Sequence, residues 1–460
     1  MGWLNNICAL TDSYKATHWK QYPPKTSNVY SYFESRVGAK YDETVFFGLK
    51  YILSEYLEGR VVNHRIIERM KKRYGLHFDN DLFNADGWSH ILHEHDGCLP
   101  IRIRAVPEGT VVPTGNVLMT VENTDPAVPW LTNWVETLLT QVWYPCTVAT
   151  QSREMKKVLK NALDRSGSVS NLPFMLHDFG FRGTTCPEQA AIGGSAHLVN
   201  FKGTDNVPAL ELVDRFYDEE MAGFSVPASE HSTITMWGEE NENEAYRNIL
   251  EEFPTGIVAC VSDSYDIYNA CANLWGDKLR DAVLQRDGVL VIRPDSGDPR
   301  VVLPRLLEIL AGRFGFTANS KGYRVINPKV RLIQGDGINI DSVEPILDRL
   351  MGYGWSADNV SFGSGGGLLQ QMNRDTQRFA FKASSGVVDG VRRDVSKRPV
   401  TDLSKQSKQG RLKLVDDNGV LRTVGAGDAR TGLLQTVFED GVCHSSWSFN
   451  DIRNLAGKGL

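Results

Sequence analysis

The chain has 460 residues, of which 41% are hydrophobic, so it can bury a substantial core in two or three domains. Its 50 basic and 56 acidic residues give a net charge of −6, which argues against a surface for nucleic acid or for an anionic membrane. The seven cysteines show no metal-ligand spacing, and no apolar run is long enough to span a membrane. We therefore expect a soluble, cytoplasmic protein whose seven thiols are free and buried.

The first 150 residues read as a helical and β-rich region. The opening 35 residues mix polar and aromatic side chains around Pro23-Pro24, which predicts a capping segment and not a core strand. Residues 100–122 alternate in polarity between Gly and Pro, a pattern typical of antiparallel strands. Helical spacing of apolar residues predicts helices over 44–59, 65–73 and 131–163, the last with a break at Tyr144-Pro145.

Residues 151–376 repeat one pattern, an apolar run followed by a polar loop and then by a helix. The four clearest repeats are GIVACV before SDSYD, GVLVIR before PDSGDP, VRLIQ before GDGIN and VSF before GSGGGLL. Three earlier repeats begin near residues 172, 201 and 223. Buried strands that alternate with helices form parallel sheets. We therefore predict an α/β fold with a (β/α) barrel-like catalytic domain of about seven or eight units.

The last segment, 377–460, is again β-rich. Short apolar runs flank Asn418-Gly419 and Asp440-Gly441, and these dipeptides favour tight hairpin turns. We expect this segment to pack with residues 1–150 as a second β-rich domain built from both chain ends.

The loops after the predicted barrel strands hold most of the residues suited to chemistry. Because the carboxyl ends of parallel strands share one edge of a sheet, these loops should meet. The run GSGGGLL, residues 363–369, has four glycines around Ser364 and suits a phosphate-binding loop, although a tight turn uses the same residues. Carboxylates near a phosphate suit Mg²⁺, and those that follow the strands are Asp263, Asp295, Asp298 and Asp336.

Two ionisable residues in these loops allow two interpretations each. Arg293 ends an apolar strand, where it either binds a phosphate or forms an internal ion pair with Asp295. His231 follows a strand beside Glu230, which suits a phosphorylated imidazole or a contact to phosphate but also a structural hydrogen bond.

The segment LHDFGFRG and the following repeat suit a planar ligand with an anionic group. Phe179 offers a ring for stacking, and Arg182 offers a guanidinium for anionic oxygen. Asp205, in FKGTDN, would lie nearby and could accept a hydrogen bond from an amide.

Taken together, these segments resemble the nicotinamide phosphoribosyltransferase family over nearly the whole chain. The resemblance is carried, in order, by LTDSYKATHWKQYPP, LTNWVETLL, LHDFGFRG, HLVNFKGTD, SVPASEHSTI, VSDSYDIYNA, IRPDSGDP, IQGDG and FGSGGGLLQ. It implies a type II phosphoribosyltransferase fold and a homodimer with shared active sites. It implies the formation of nicotinamide mononucleotide and pyrophosphate from nicotinamide and 5-phosphoribosyl 1-pyrophosphate in NAD salvage. Mg²⁺ would be the cofactor, and ATP hydrolysis through a phosphohistidine would stimulate the reaction.

The resemblance also implies roles for individual residues. Phe179 and Tyr14, the latter from the other subunit, would sandwich the pyridine ring, while Asp205 would accept from the carboxamide. His231 matches the phosphorylated histidine, and Asp263 matches an acidic position close to the site. Further catalytic or substrate-binding positions are Arg182, Ser225, Arg293, Asp295, Gly335, Asp336, Gly365, Gly366 and, across the interface, Arg374 and Lys382.

Two other functions are weighed against this one. A nicotinate phosphoribosyltransferase would share the fold and the phosphate chemistry, but Asp205 would repel the carboxylate of nicotinate. A non-catalytic ligand-binding or signalling protein on the same fold would have no need of the Arg, Asp and His residues at the strand ends.

Overall fold

The computed structural model describes residues 5–401 and 406–460, which divide into two compact units. The first unit consists of Met1–Thr150, Arg215–Asp218 and Met372–Gly459. The second consists of Gln151–Asp214 and Glu219–Gln371, with Leu460. Within the described ranges, no helix is both long enough and apolar enough to cross a membrane.

The strands of the described residues are, in chain order, β1 (Thr26–Ser35), β2 (Glu43–Val45), β3 (Ile101–Ala105), β4 (Val111–Pro113), β5 (Asn116–Asn123), β6 (Leu176–Asp178), β7 (Gly203–Thr204), β8 (Thr255–Val261), β9 (Asp287–Arg293), β10 (Phe316–Ala318), β11 (Arg324–Ile326), β12 (Val330–Gln334), β13 (Val360–Ser364), β14 (Phe379–Val388), β15 (Val391–Asp394), β16 (Leu412–Asp417), β17 (Val420–Gly425), β18 (Gln435–Glu439) and β19 (Val442–Cys443).

The α-helices are α1 (Leu49–Ile52), α2 (His64–Phe78), α3 (Ala85–Glu94), α4 (Leu131–Trp134), α5 (Glu136–Thr140), α6 (Trp143–Ser166), α7 (Pro187–Leu198), α8 (Val207–Tyr217), α9 (His231–Thr235), α10 (Glu242–Glu252), α11 (Ile267–Asn269), α12 (Arg280–Gln285), α13 (Pro299–Phe314), α14 (Ile340–Gly352), α15 (Gly366–Leu369) and α16 (Phe449–Ala456). The 3-10 and π-helical segments include Ser13–Lys20, Leu53–Leu57, Phe181–Gly183 and Ala270–Lys278.

The first unit is built on an antiparallel seven-stranded sheet in the order β15-β14-β1-β5-β3-β18-β19. Its strands come from both ends of the chain, so the prediction of a second β-rich domain built from both ends is confirmed. The two predicted hairpin turns are also confirmed, because Asn418-Gly419 and Asp440-Gly441 have positive φ angles between β16 and β17 and between β18 and β19.

Strand β1 contradicts the prediction that the first 35 residues only cap the fold. It lies inside the sheet between β14 and β5, and its residues from Val29 onward are buried. The polar residues of this strand suggested a surface position in the sequence. In the structure they are buried, and they have hydrogen-bond or ion-pair partners. The hydroxyl of Ser35 donates to the carbonyl of Gln377 at 2.6 Å, and the carboxylate of Glu34 pairs with Lys408.

The second unit is built on a parallel six-stranded sheet in the order β7-β6-β13-β12-β9-β8. Residues 224–229 join its two edges. Phe224 forms a parallel bridge with Gly203 of β7, and Ala228 forms one with Ala259 of β8. The predicted barrel-like α/β fold is therefore confirmed, with a seventh, irregular segment completing the ring.

Helix α6 corrects the predicted break in the long helical stretch. The helical stretch is interrupted at Val135 and again at 141–142, and Pro145 lies in the first turn of α6. Proline is tolerated there because the first amides of a helix have no carbonyl partner within it.

The cysteines are all free, as predicted, but they are not all buried. Cys98 and Cys443 are half-buried, and Cys186 is exposed. The sulfur of Cys186 accepts the N–H of Gln189 at 3.4 Å and caps helix α7.

Candidate active site

A cavity of about 520 Å³ lies where the strands of the second unit end. Most of its lining comes from residues that end a strand or follow one, as expected for loops at the carboxyl edge of a parallel sheet. The lining residues are Asp178, Phe179, Phe181, Arg182, Asp205, Arg293, Asp295, Gly335, Asp336 and Gly365. The structure thus brings together eight of the residues singled out in the sequence, from five separate loops.

The ring of Phe179 packs against two glycines. The backbone N–H of Phe179 donates to the carbonyl of Ser364 at 3.0 Å, which fixes the residue beside β13. A Cβ atom on Gly363 would lie 1.9 Å from Cε2 of the ring, and one on Gly335 would lie 3.4 Å from the same atom. Gly363 is therefore required for this ring position, since a real Cβ never approaches so closely.

Asp205 is held beside β6 by its backbone and by a neighbouring hydroxyl. Its N–H donates to the carbonyl of Asp178 at 3.0 Å, and its Oδ1 accepts from the hydroxyl of Ser225 at 2.5 Å. The residue is otherwise exposed to the cavity, so its second carboxylate oxygen is placed to accept from a ligand.

Arg293 and Asp295 lie side by side at the end of β9. The Nη2 atom of Arg293 is 3.4 Å from Oδ2 of Asp295, a long contact for a charge-assisted pair. The Nε atom of Arg293 is buried and has no hydrogen-bond partner among the described residues. The side chain of Arg293 is 21% exposed and lines the cavity, so the guanidinium is open to an anionic ligand there and is not closed off in an internal ion pair.

His231 is oriented by Asp263. Its Nε2 lies 3.0 Å from Oδ1 of Asp263, whose side chain is only 5% exposed, while His231 itself is 46% exposed. The other oxygen of Asp263 accepts the backbone N–H of Asp295 at 3.2 Å. A single carboxylate thus links the imidazole to the loop that carries Asp295.

Asp298, by contrast, caps helix α13 and pairs with Arg300, and this pairing lowers the pKa of Asp298.

The glycine-rich loop after β13 turns directly into helix α15 (Gly366–Leu369). Gly365 lines the cavity with φ −102° and ψ −103°, and the hydroxyl of Ser364 anchors the turn on the carbonyl of Ile338 at 2.6 Å. A Cβ on Gly367 would lie 2.7 Å from that same carbonyl. Close backbone packing therefore explains Gly367, and the amides of Gly365 and Gly366 begin the helical turn.

Three of the residues implied by the resemblance belong to the first unit. Tyr14 is 57% exposed on the 3-10 segment Ser13–Lys20. Arg374 is exposed, and Lys382 lies half-buried on β14. Their approach to the cavity from a partner subunit stays a prediction.

Lys382 lies in a cluster of positive charge within the first unit. Burial lowers its pKa most, and the cations Arg36, Lys397 and Arg374 lower it further, against the opposing effect of Glu136. An anion bound beside Lys382 would relieve this repulsion.

Comparison with known proteins identifies the family. The model of the nicotinamide phosphoribosyltransferase N-terminal domain matches residues 6–103, and that of the nicotinate phosphoribosyltransferase family matches residues 174–442. A nicotinamide phosphoribosyltransferase of Xanthomonas campestris is 50% identical over 98% of both chains. The chain belongs to the nicotinamide phosphoribosyltransferase family. A second family member, from Acinetobacter baylyi, is 34% identical over 99% of this chain and 98% of its own.

Solved structures show the fold that this member of the nicotinamide phosphoribosyltransferase family shares. A nicotinate-nucleotide pyrophosphorylase from Pyrococcus furiosus superposes with a TM-score of 0.62, at 16% identity over 99% of this chain and 96% of its own. The human nicotinic acid phosphoribosyltransferase gives 0.58, at 16% identity over 97% and 92%. The predicted type II phosphoribosyltransferase fold is confirmed.

Two residues of the cavity were not proposed as site residues from the sequence of this family member. Phe181 lines the cavity on the 3-10 segment Phe181–Gly183 and is 39% exposed. Asp178 ends β6, and its side chain accepts from the N–H of Gly180 at 2.7 Å and from Nδ2 of Asn206 at 2.9 Å. Its place at the end of a three-residue strand beside Phe179 was the only signal.

Asp178 should make stability depend on pH. Burial raises its pKa to about 6, and Asp205 adds to this, while Asn206 and Gly180 oppose it. Between pH 4 and pH 6 the folded chain therefore keeps a proton that the unfolded chain releases, so this contribution to stability falls as pH rises. Across that window the wild-type chain should lose on the order of 2 kcal/mol of unfolding free energy, and we expect Asp178→Asn to abolish this loss.

Urea unfolding at several pH values between 4 and 7 checks this expectation. The readout is the slope of the unfolding free energy with pH, because Asn also alters a hydrogen bond at every pH. Exposed Asp214→Asn is the matched control and should keep the wild-type slope. An unchanged slope in Asp178→Asn would contradict the assignment.

Proposed function

We propose that the chain transfers the phosphoribosyl group of 5-phosphoribosyl 1-pyrophosphate to nicotinamide, releasing pyrophosphate and forming nicotinamide mononucleotide for NAD salvage. The observation that carries this proposal is the cavity of the second unit. One wall is an aromatic ring, one side has an acceptor for an amide, and another has the guanidinium of Arg293, which is 21% exposed and makes only a long contact to Asp295. These groups suit a flat amide and a ribose that carries a phosphate at one position and a pyrophosphate at another.

The pyridine ring stacks on Phe179, whose position is fixed by Gly363. Asp205 accepts a hydrogen bond from the carboxamide N–H, and Ser225 orients it through the 2.5 Å bond to Oδ1. Tyr14 of a partner subunit closes the other face of the ring, so the active form is a homodimer. Nicotinate would place its own carboxylate against Asp205, which favours the amide as substrate.

The phosphate oxygens are bound by cations and by backbone amides. Arg182 and Arg293 line the cavity and bind the phosphoribosyl and pyrophosphate oxygens. The amides of Gly365 and Gly366 bind the 5′-phosphate at the start of the helical turn. Arg374 and Lys382, in the positive cluster of the first unit, complete this site across the dimer interface.

The chemical step needs stabilisation of a leaving group more than it needs a base. The pyridine nitrogen attacks the anomeric carbon with its own lone pair and has no proton to lose. Pyrophosphate leaves with the bonding electrons, so Arg293 and Arg182 must hold the charge that develops on its oxygens. Stacking on Phe179 holds the neutral nucleophile in line with the breaking bond.

The lining carboxylates fit a Mg²⁺ ion that is shared with the substrate. Asp295 and Asp336 line the cavity. In the described part of the chain, no three carboxylate or imidazole groups converge there as a complete metal cage. Mg²⁺ commonly binds one or two carboxylates plus phosphate oxygens. Bound in that way by Asp295 and Asp336, Mg²⁺ would neutralise charge on the pyrophosphate.

ATP stimulates the reaction through His231. With Nε2–H donating to Asp263, Nδ1 carries the lone pair that accepts the γ-phosphoryl group, and ADP leaves with the bonding electrons of the broken P–O bond. Hydrolysis of the phosphorylated imidazole later releases phosphate. The 46% exposure of His231 leaves room for this modification.

His231→Ala should therefore abolish the stimulation by ATP. We expect the ratio of rates with and without ATP to fall to about 1, while the ATP-independent rate falls less. Product formation measured with and without ATP checks this, and the exposed His93→Ala is the control. A His231→Ala variant that still couples ATP turnover to product would remove the role of this residue.

The cell compartment proposed for the enzyme is the cytoplasm, where thiols stay reduced. All seven cysteines are free in the structure, which suits a reducing environment.

Product stoichiometry tests the proposed reaction. Purified chain, 5-phosphoribosyl 1-pyrophosphate, Mg²⁺ and nicotinamide should yield nicotinamide mononucleotide and pyrophosphate in equal amounts. Pyrophosphate without nucleotide would mean hydrolysis instead of transfer. Neither product would favour a non-catalytic binding protein on this fold.

A further inference from the structure

Two histidines and an aspartate of the first unit converge on one point. Nε2 of His90 lies 2.6 Å from Oδ2 of Asp125, and Nε2 of His95 lies 2.7 Å from the same oxygen. The three ligand atoms all lie within 4.8 Å of one another. In the described residues this is the only group of three or more His, Cys, Asp or Glu side chains that meets this geometry. All three residues belong to the first unit, whereas the cavity is lined by the second.

The cluster is held in place by secondary structure and by further hydrogen bonds. His90 lies on α3, and His95 is the C-cap residue of the same helix, with its N–H donated to the carbonyl of Ile91. Asp125 follows β5, and its Oδ1 accepts the N–H of Ala127 at 2.8 Å. One carboxylate oxygen is therefore occupied by the backbone, and the other is left for the two imidazoles.

A carboxylate oxygen that faces two imidazole nitrogens is a suitable donor set for a transition metal.

We propose that His90, His95 and Asp125 form a binding site for a first-row divalent transition metal, with Zn²⁺ as the best fit. Two imidazoles and one carboxylate are a common three-ligand set for Zn²⁺, with water in the fourth position. The side chains of His90, His95 and Asp125 are 34%, 28% and 15% exposed, so an ion and its water can reach them.

The geometry needs only a small adjustment to accept the ion. Ligand atoms about 2.1 Å from a tetrahedral Zn²⁺ lie about 3.4 Å apart. The two nitrogen–oxygen contacts of 2.6 and 2.7 Å must then open by roughly 0.8 Å, a displacement within reach of partly exposed side chains. The ion would lie beside the last turn of a ten-residue helix, where the helix dipole favours a cation.

Zinc titration of the metal-free, full-length chain tests the site. Isothermal calorimetry should show one saturable Zn²⁺ per chain, and Co²⁺ in its place should give the visible absorption bands of a tetrahedral site. We expect His90→Gln and Asp125→Asn each to weaken Zn²⁺ binding at least about tenfold and to remove the rise in melting temperature that Zn²⁺ causes.

His93→Gln is the matched control for this titration. His93 lies on the same helix, and its ring centroid is 5.4 Å from that of His64, so the two form the neighbouring histidine pair. His93→Gln should bind Zn²⁺ as the wild type does. The proposal is overturned if the wild type binds no Zn²⁺ saturably, or if His90→Gln and Asp125→Asn bind it with unchanged affinity.

Discussion

Gly363→Ala should reduce kcat/KM for nicotinamide more than about hundredfold, because a misplacement of the stacking ring by an ångström destroys the alignment for attack. The added Cβ would lie 1.9 Å from Cε2 and 2.1 Å from Cδ2 of Phe179. The ring cannot stay where it is, and its backbone cannot follow because its N–H is bonded to Ser364 at 3.0 Å. Steady-state kinetics at saturating 5-phosphoribosyl 1-pyrophosphate measures the effect.

A double-mutant cycle separates this cause from general damage to β13. In a Phe179→Ala background there is no ring to displace, so adding Gly363→Ala should cost little more. Gly312→Ala is the control for inserting a methyl group, because a Cβ at Gly312 meets nothing within 4 Å. Full additivity of Gly363→Ala and Phe179→Ala would argue against the ring contact as the cause.

Asp205→Asn should lower the preference for nicotinamide over nicotinate by roughly 10- to 100-fold, the value of one hydrogen bond to a charged group. The carboxylate oxygen not bonded to Ser225 can only accept, which suits an amide N–H and repels a carboxylate. An Asn side chain can also donate, so it would tolerate the acid. The ratio of kcat/KM for the two bases is the readout, since phosphate binding should change little.

Two variants bracket the result for Asp205. Ser225→Ala keeps the carboxylate and removes only the 2.5 Å hydrogen bond that orients it, so we expect a smaller loss of selectivity. Asp214→Asn removes an exposed charge from helix α8 and should leave the selectivity unchanged. If Asp205→Asn retains the wild-type ratio, another group selects the base.

The barrel strands and the hairpins could be predicted because local sequence determines them. The runs GIVACV, GVLVIR, VRLIQ and VSF correspond to β8, β9, β12 and β13, and burial in the parallel sheet makes these strands mostly apolar. The two hairpin turns could be predicted because Asn-Gly and Asp-Gly readily adopt the positive φ angles that tight hairpin turns require, and they have such angles here.

Strand β1 could not be predicted because its burial depends on distant partners. Ser35 is satisfied by Gln377 and Glu34 by Lys408, more than three hundred residues further along the chain. Local polarity therefore pointed to the surface, while tertiary hydrogen bonds made the strand central.

The candidate site was predictable in its residue types but not in its contacts. The rule that loops meet at the carboxyl edge placed Phe179, Asp205 and Asp336 near one another. The packing of Gly363 against the ring of Phe179 depends on distances that no motif contains. The group formed by His90, His95 and Asp125 could not be predicted either. It joins helix α3 to the segment that follows β5, and only the tertiary fold brings these two segments together.

The most direct test of the proposed function compares the two bases in one assay. Nucleotide formation is measured with 5-phosphoribosyl 1-pyrophosphate and Mg²⁺, with nicotinamide and nicotinate in parallel, each with and without ATP. We predict product from the amide, at a rate raised by ATP, and little or none from the acid. Product from nicotinate in preference to nicotinamide would contradict the assignment of Asp205 and of the base pocket.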